Sequence, residues 1–378
     1  MRLTSIEFSE FKGLEHEWIL ERFELGQVNL LVGRNATGKS RTINVMVALA
    51  QLLCGDRKSV YESGGFDVYF GGEKTDLHYQ LEYLNNKIER ELLHKGSDVL
   101  LRRTAPGSYG HIFAQEFGKE MRFQVPTQEL AVVAKRDAEQ HPFLEELFQW
   151  ASFVRHFEFG KSMGHLNLGI PVKELPPYMN EKDTTQAVPI YSKGWNLYKE
   201  PFKDAIKADM ATLGYDITEI AIRRPDKLQV AGPFPLDLFG ISVKERGLSC
   251  FTDQPSMSQG MFRALSIIIQ LNFLVMSKVG TCILVDDIGE GLDFERSCKL
   301  IEVMRNKANH SSVQLIMSTN DRFVMNSVPL TEWCVLQRQG HRIKVHNYKN
   351  SAHIFDRFKK TGLANFDFLA TDFVERVK

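Results

Sequence analysis

Near the start of the chain, the pattern of hydrophobic and polar residues predicts two strands followed by a helix. Residues 3 to 8 and 28 to 32 are predicted strands, and the second is a mostly apolar run, as in a strand buried within a sheet. From Ser40 to Leu53 apolar residues recur at helical spacing, and Gly55 is the predicted helix terminator. A buried strand followed at once by a helix is the repeating unit of parallel α/β sheets.

The same alternation returns in the last part of the chain. Helices are predicted near residues 258 to 277 and 293 to 308. Apolar strands are predicted at Thr281 to Val285, Val313 to Met317 and Trp333 to Leu336. Strands that alternate with helices in this way predict a parallel sheet covered by helices.

The middle of the chain follows a different pattern. Between residues 60 and 125, short alternating strands are broken by turn residues such as Pro106-Gly107, which predicts antiparallel hairpins. Residues 126 to 160 are predicted to be helical, and residues 161 to 200, rich in Gly, Pro and Asn, are predicted to be loop. We therefore expect an α/β fold in three parts. These are a head formed by residues 1–54 and 241–378, an antiparallel β lobe at 55–125, and a helical lobe with a loop-rich insertion at 126–240.

The composition is that of an ordinary globular protein, since 43% of the 378 residues are hydrophobic and 25% are charged. Lys plus Arg equals Asp plus Glu at 47 each, so no overall basic field points to a nucleic acid or membrane partner. The five cysteines are scattered without a Cys-x-x-Cys pair, which disfavours a disulfide framework and a zinc site. The longest apolar run, Ile267 to Met276, is interrupted by Gln270 and Asn272. We expect a soluble, cytoplasmic protein with no membrane partner.

Residues 33 to 40, Gly-Arg-Asn-Ala-Thr-Gly-Lys-Ser, match the spacing of a phosphate-binding P-loop and lie between a buried strand and a helix, as such a loop requires. Its glycines let the backbone curl so that successive N–H groups point at phosphate oxygens. Lys39 adds a point charge on the outer phosphates, and Ser40 supplies a hydroxyl ligand for Mg²⁺. The expected cofactors are ATP and Mg²⁺. The predicted nucleotide-binding residues are Gly33, Arg34, Asn35, Ala36, Thr37, Gly38, Lys39, Ser40 and Arg41.

Two acids supply the second half of such a site. The apolar strand that begins at Thr281 ends in Asp286 and Asp287. We predict that Asp286 binds Mg²⁺ and that the Asp287 carboxylate orients and deprotonates the attacking water. The predicted reaction is the hydrolysis of ATP to ADP and phosphate, with Lys39 and Asp287 among the catalytic residues.

A third segment narrows the choice among P-loop families. Ser258-Gln259-Gly260, with Arg263 three residues later, opens a predicted helix upstream of the Asp-ended strand and resembles the signature of ABC ATPases. In that family the start of this helix, with Ser258 and Gly260 at the positions that matter, caps the γ-phosphate bound by the opposite subunit. The resemblance implies a head-to-tail homodimer or higher oligomer in which Ser258, Gln259 and Gly260 act in trans.

Two further segments follow the ABC pattern. Gly291-Leu292-Asp293 comes after the Asp-ended strand as the D-loop does. Asn320 ends the next strand at the switch position, where the family commonly carries His, and the resemblance implies a catalytic role for it. Gln124, Gln128 and Gln140 compete for the role of the Q-loop glutamine, and the sequence does not rank them.

The opening from Ile6 to Gly13 and the Gly-x-Asn start of the P-loop resemble the RecF, SMC and OLD-type branch rather than transporter subunits. The chain shows neither the long coiled coil of chromosome-bound members nor the acidic Toprim domain of OLD nucleases. Compact, stand-alone AAA-like relatives occur in bacterial antiphage defence systems beside a nuclease or toxin. The resemblance therefore implies an ATPase that gates a protein effector in trans.

Two alternatives remain open. A RecF-like DNA-repair ATPase would bind DNA through local basic clusters, for which Arg102-Arg103, Lys135-Arg136, Arg223-Arg224 and Arg357 to Lys360 are the candidates. A transporter motor is less favoured, because its head usually lacks an interruption as long as residues 55 to 240.

Two departures from the ABC pattern predict slow hydrolysis. Asp287 stands where Glu is usual, so its carboxylate falls about 1 Å short of the water, and a misplacement of that size can cost on the order of a hundredfold in rate. Asn320 can donate a hydrogen bond to phosphate but cannot carry the positive charge available to His. We expect tight ATP binding with slow turnover, as in a switch. The alternative is that the backbone has shifted to bring Asp287 into place.

Overall fold

The structure is a computed structural model that describes residues 1–57, 62–71, 76–104, 108–161, 163–168, 183–225 and 238–376. The predicted turn at Pro106-Gly107 and residues 169–182 of the predicted loop lie outside these ranges. The strands are β1 (Arg2–Glu10), β2 (Trp18–Glu24), β3 (Val28–Val32), β4 (Ser63–Gly71), β5 (Asp76–Leu84), β6 (Lys87–Lys95), β7 (Asp98–Thr104), β8 (Tyr109–Ala114), β9 (Lys119–Gln124), β10 (Arg155–Glu158), β11 (Ile217–Arg223), β12 (Gly240–Glu245), β13 (Thr252–Asp253), β14 (Thr281–Asp286), β15 (Val313–Ser318), β16 (Trp333–Gln339) and β17 (Arg342–Asn347).

Helices lie at both ends of the chain and in its middle. They are α1 (Lys39–Leu53), α2 (Ala131–Ala134), α3 (Pro142–Phe153), α4 (Ala187–Thr212), α5 (Gln259–Ser277), α6 (Phe294–Asn309), α7 (Arg322–Ser327), α8 (Tyr348–Lys359), α9 (Asp367–Ala370) and α10 (Phe373–Arg376). The strands and helices predicted for both ends of the chain are confirmed within one or two residues, except that β16 continues three residues beyond the predicted end at Leu336.

The chain divides into two compact units. Unit 1 contains Met1–Val154, Gly280–Leu284 and Gln314–Lys378, and unit 2 contains Arg155–Val279 and Val285–Val313. These units do not coincide with the three parts expected from the sequence. The strands of the expected β lobe belong to unit 1, because they continue the same sheet as β3.

Unit 1 is organised by one mixed sheet. Its strands lie in the order β14-β15-β3-β16-β17-β2-β1-β4-β5-β6-β7-β8-β9. β3 pairs in parallel with β15 and β16. In the other part of the sheet, neighbours in the order β2-β1-β4-β5-β6-β7-β8-β9 pair antiparallel. Ile43, Met46 and Leu49 of α1 are buried in the core of this unit. The predicted mixed α/β architecture and the antiparallel strands between residues 60 and 125 are confirmed.

Unit 2 is built around α5. Every residue of this helix from Met261 to Leu274 is buried. Nδ2 of Asn272 donates a hydrogen bond to Oδ2 of Asp209 on α4 at 2.6 Å, and Lys307 on α6 lies 3.0 Å from the same carboxylate oxygen. By length and composition α5 could cross a membrane, but 78% of its most apolar 18-residue window is buried inside the protein, as in a core helix. Strands β11, β12 and β13 form a separate antiparallel sheet.

Two predictions for the middle of the chain were wrong. Residues 187–200, predicted to be loop, belong to α4, and residues 155–158, predicted to be helical, form β10. Helix α4 contains Lys199 at a non-helical φ of 53° just before Pro201, so its apolar positions do not keep one helical period. β10 is four residues long, which is too short for an alternating pattern to be recognised.

Candidate nucleotide-binding site

The predicted P-loop joins β3 to α1 at the carboxyl edge of the unit 1 sheet. Leu31 of β3 pairs with Ser318 on one side and with Cys334 on the other. Gly33 lies two residues beyond Leu31, and Asn320 lies two residues beyond Ser318. The parallel register therefore brings Asn320 to the level of the start of the loop.

Two small residues of the loop have positive φ angles. Gly38 has a φ of 102° and Ala36 a φ of 62°. A Cβ added at Gly33 would lie 2.7 Å from Oγ1 of Thr37 and 2.9 Å from the carbonyl oxygen of Leu336, so only glycine fits there. A left-handed backbone at Ala36 costs about 1–2 kcal/mol. Such strain is concentrated at functional sites, where the surrounding structure imposes it.

Lys39 and the start of α1 place positive charge at this loop. Lys39 is 7% exposed, and its Nζ donates to the carbonyl oxygens of Gly33 at 2.9 Å and Arg34 at 3.2 Å. The N-cap residue is Gly38, which has no side chain to cap the 15-residue helix. A helix N-terminus carries partial positive charge and N–H donors, so the loop fits an anion such as a polyphosphate. Ser40 lies in the first turn of this helix.

Two arginines of the predicted nucleotide-binding segment, Arg34 and Arg41, contact other side chains of unit 1. Arg41 donates to Oε2 of Glu10 at 2.6 Å, and its guanidinium lies 4.3 Å from the centre of the Trp18 ring. Arg34 forms an ion pair with Asp372. Arg34 thus contacts a residue far along the chain that no local pattern indicates.

Asn320 is exposed, and the residues on either side of it are fixed by burial or by hydrogen bonds. Thr319 is buried, and Asp321 caps α7 by accepting hydrogen bonds from the N–H groups of Phe323 at 2.6 Å and Val324 at 3.3 Å. The end of β15 and the start of α7 therefore determine where the Asn320 backbone lies. That place is the carboxyl edge of the sheet, beside β3.

In unit 2, the predicted signature residues open α5. Oγ of Ser258 caps the helix by accepting a hydrogen bond from the N–H of Met261 at 3.2 Å, and Gln259 is exposed. A Cβ added at Gly260 would lie 2.9 Å from the carbonyl oxygen of Gly291, in the predicted D-loop. The helix start and the D-loop are therefore in close backbone contact.

Arg263 strengthens this contact. Its Nη1 donates to the carbonyl oxygen of Glu290 at 2.8 Å, and a side chain at Gly291 would collide with the guanidinium. Asp293 then caps α6 by accepting from the N–H of Arg296 at 2.9 Å. The predicted signature and the predicted D-loop thus form one block within unit 2.

Asp286, the predicted Mg²⁺ ligand, ends β14, and Asp287, the predicted catalytic base, follows it directly. The carbonyl oxygen of Asp286 accepts a hydrogen bond from the N–H of Phe159 at 3.0 Å. Asp287 has a φ of 52°, so its backbone leaves the strand in a left-handed conformation. Both acids are half-buried. The left-handed turn changes the direction of the Asp287 side chain relative to an ordinary strand residue.

The structure adds His156, which the sequence reasoning missed. Burial lowers the pKa of His156, although the nearby carboxylates of Glu158 and Asp286 raise it. Its Nε2 is buried and has no hydrogen-bond partner among the described residues. The sequence carried no signal for this residue, because β10 was itself not predicted.

The three candidates for the Q-loop glutamine lie elsewhere in unit 1. Gln124 is on β9, at the opposite end of the sheet from β14, and donates to Oγ of Ser108 at 3.4 Å. Gln128 lies in an exposed turn, and the carbonyl oxygen of Gln140 accepts from the N–H of Gln115 at 2.9 Å. The order of strands therefore places Gln124 far from β3, and Gln128 and Gln140 lie outside the strands.

Comparison with known proteins identifies the fold. No protein-family model matches the chain, and no curated protein matches it in sequence. Solved structures do match. One, the SmcHead bound to the C-winged helix domain of ScpA, is 12% identical, covers 92% of this chain and 97% of that chain, and gives a TM-score of 0.55. The fold is that of an SMC head.

A second solved structure supports the same conclusion. The Smc head domain with an extended coiled coil, bound to the C-terminal domain of ScpA from Pyrococcus furiosus, is 10% identical and gives a TM-score of 0.51. The match covers 95% of this chain and 99% of that chain. At this identity the likeness shows the fold alone, which is the ABC-type ATPase fold of SMC heads.

Proposed function

We propose that the protein is an ABC-type ATPase that binds ATP with Mg²⁺. The observation that carries this proposal is the start of α1, where the buried Lys39 ammonium and an N-cap glycine lie at a strained loop. This combination suits a polyphosphate, because the helix dipole, the N–H donors and the ammonium all favour negative charge at one place. The SMC-head fold supports ATP as the nucleotide.

The proposal assigns roles to Lys39, Ser40, Asp286, Asp287 and Asn320. Bound ATP would supply the γ-phosphoryl group that water attacks. Lys39 neutralises charge on the outer phosphates, and Ser40 and Asp286 are the proposed Mg²⁺ ligands. Asp287 accepts the proton of the attacking water, and Asn320 donates a hydrogen bond to the phosphate.

We propose further that hydrolysis is slow. Asp287 has a shorter side chain than Glu, and Asn320 lacks the charge of His. The left-handed backbone at Asp287 is a shift of the kind that brings a shorter side chain closer to the attacking water. Variants of Asp287 therefore have to test whether the length of its side chain limits the rate.

Turnover of two Asp287 variants tests the function and its rate together. Asp287→Asn should abolish ATP hydrolysis and retain ATP binding, because the amide cannot accept the proton. Asp287→Glu should raise kcat severalfold if reach limits the wild-type rate. Steady-state phosphate release and isothermal titration with ATP and Mg²⁺ measure both. A wild-type kcat above about 10 s⁻¹, the median for enzymes, or a lower rate in Asp287→Glu would contradict slow hydrolysis.

The proposed assembly is a head-to-tail homodimer or a higher oligomer. In it, Ser258 and Gly260 of one copy approach the γ-phosphate bound by the other copy. The contact of Gly260 with Gly291 supports this, because it presents the helix start and the D-loop as one block. The ATP-bound dimer would then gate a protein effector in trans, and a nuclease or toxin in phage defence is the proposed kind of effector.

A RecF-like DNA-binding ATPase is the second candidate, and one observation favours it. Arg102, His111 and Arg122 are directly opposite one another on β7, β8 and β9, and all three are exposed. The Arg122 guanidinium also lies 4.4 Å from the centre of the Tyr109 ring. Basic side chains beside an aromatic ring suit a nucleic-acid backbone. A gel-shift titration with duplex and single-stranded DNA at increasing salt separates this candidate from effector gating.

A further inference from the structure

A segment remote in sequence lies against the P-loop. A cavity of about 590 Å³ is lined on one side by residues 33–37 and on the other by Phe368, Leu369 and residues 372–375. We call residues 367–370 the anchor and residues 372–376 the latch. All of these residues belong to unit 1.

The anchor is held firmly by aromatic packing. Phe368 is fully buried, and its ring centre lies 4.8 Å from that of Phe355, 5.0 Å from that of Phe358 and 6.3 Å from that of Trp333. A buried aromatic side chain that packs against several rings is among the most costly side chains to remove from a protein core. The aromatic contacts of Phe368 therefore fix the anchor independently of residues 372–376.

The latch is held much less firmly. Its ion pair joins Asp372 to Arg34, whose side chains are 38% and 70% exposed. Glu375 accepts a hydrogen bond from Nε2 of Gln337 at 2.9 Å. The ring centre of Phe373 lies 5.1 Å from that of Phe358 and 5.8 Å from that of Phe368, and Val374 is the one buried aliphatic side chain of residues 372–376. Exposed ion pairs contribute little because water and salt screen them.

The joint between anchor and latch is strained. Asp372 has a φ of 50°, a conformation that residues other than glycine rarely adopt. Strain at this residue offsets part of the stabilisation that its ion pair provides. The anchor is thus held firmly, Asp372 is strained, and the latch is held weakly. A segment built in this way can take two positions, one against the loop and one away from it.

The closed latch opposes the proposed function of the loop in two ways. The Asp372 carboxylate neutralises Arg34 and adds negative charge beside a loop that is built for phosphate. The latch also lines the same cavity as the exposed residues 34–36, so a second copy that docks on these residues has to displace it. Both effects disappear if residues 372–376 swing away from Arg34.

We propose that residues 372–376 form an autoinhibitory latch, which must leave Arg34 before a second copy of the chain can dock on the P-loop. The inference rests on the proposed function, because it takes ATP-dependent association of two copies as the step under control. Opening exchanges the Arg34–Asp372 pair for contacts of Arg34 with phosphate or with the incoming copy. The latch thus sets a threshold for assembly.

The test measures ATP-dependent self-association in an Asp287→Asn background, which should retain ATP. Sedimentation with ATP and Mg²⁺ compares Asp372→Asn, Phe373→Ala and a matched control, Glu116→Gln, which changes an exposed acid in the turn between β8 and β9. Asp372→Asn should strengthen association about two- to fivefold, the range expected for a partly exposed ion pair. Phe373→Ala should strengthen it further, and Glu116→Gln should leave it unchanged.

Hydrogen exchange supplies a second measurement that does not depend on the variants. In the same background, the amides of residues 373–376 should exchange faster after ATP and Mg²⁺ are added, whereas those of 367–370 should not. Unchanged or weaker association in Asp372→Asn, or unchanged exchange in the latch, would overturn the latch while ATP binding stands. A titration with a fluorescent ATP analogue provides the last distinction. If neither the wild type nor the Asp287→Asn protein binds the analogue, the proposed function is refuted, and the latch with it.

Discussion

Two helix starts in this protein are proposed to meet the same phosphate, yet they are built differently. Helix α1 begins after Gly38, which has a φ of 102° and no side chain. Helix α5 begins after Ser258, whose Oγ already accepts a hydrogen bond from the N–H of Met261 at 3.2 Å. The first N–H groups of α1 thus have no capping side chain, whereas α5 is capped by its own serine.

The difference indicates an order of events. The start of α1 has Lys39 beside it and can bind an anion within one copy. At the start of α5, a phosphate must compete with the bond that Ser258 already makes, so binding there offers less net free energy. Binding to α1 should therefore come first, and capture by α5 of the second copy should follow only when ATP is in place.

The largest expected effect is at α1. Lys39→Ala should weaken ATP binding about ten- to a hundredfold, because a hydrogen bond to a charged group contributes about 1.5–3 kcal/mol. Isothermal titration with ATP and Mg²⁺ measures the affinity, and Lys119→Ala, an exposed lysine on β9, serves as the matched control. Equal affinities in Lys39→Ala and the wild type would show that the start of α1 is not the phosphate site.

An intermediate effect tests whether the two helix starts act across copies. Lys39→Ala and Ser258→Arg should each be inactive alone, since one lacks the first helix site and the other blocks the second. Mixed in equal amounts, they should recover about a quarter of wild-type turnover, because half of the dimers are mixed and each has one intact site of two. If the mixture stays as inactive as its components, the head-to-tail arrangement is wrong.

The smallest expected effect concerns the support of the α5 start. Gly260→Ala places a methyl group 2.9 Å from the carbonyl oxygen of Gly291, and overpacking of this kind costs about 1–3 kcal/mol of unfolding free energy. Chemical denaturation measures this loss. Gly26→Ala is the matched control, since a Cβ there meets nothing closer than 3.6 Å. Equal destabilisation by both substitutions would show that the D-loop contact does not set the position of the helix.

The local chemistry of the loop and of the helix starts could be predicted from the sequence, whereas the contacts made by residues far apart could not. The strand before Gly33 and the helix after Gly38 were predicted because a buried strand, glycines at turn positions and apolar residues at helical spacing are short-range signals. Helix α4 was missed because Lys199 and Pro201 interrupt its period. The three glutamines could not be ranked, since the order of strands, which places Gln124 on β9 far from β3, is not a local property of the sequence.

The sequence by itself determined the order of the motifs and the chemical groups at each, because short-range backbone preferences and the spacing of charged residues depend only on neighbours along the chain. Tertiary structure alone decided that the antiparallel strands extend the sheet of β3, that His156 lies near Asp286, and that Asp372 pairs with Arg34. Each of these relations joins residues more than a hundred positions apart or depends on which strands are neighbours. Such contacts follow from packing of the whole unit, which no local pattern encodes.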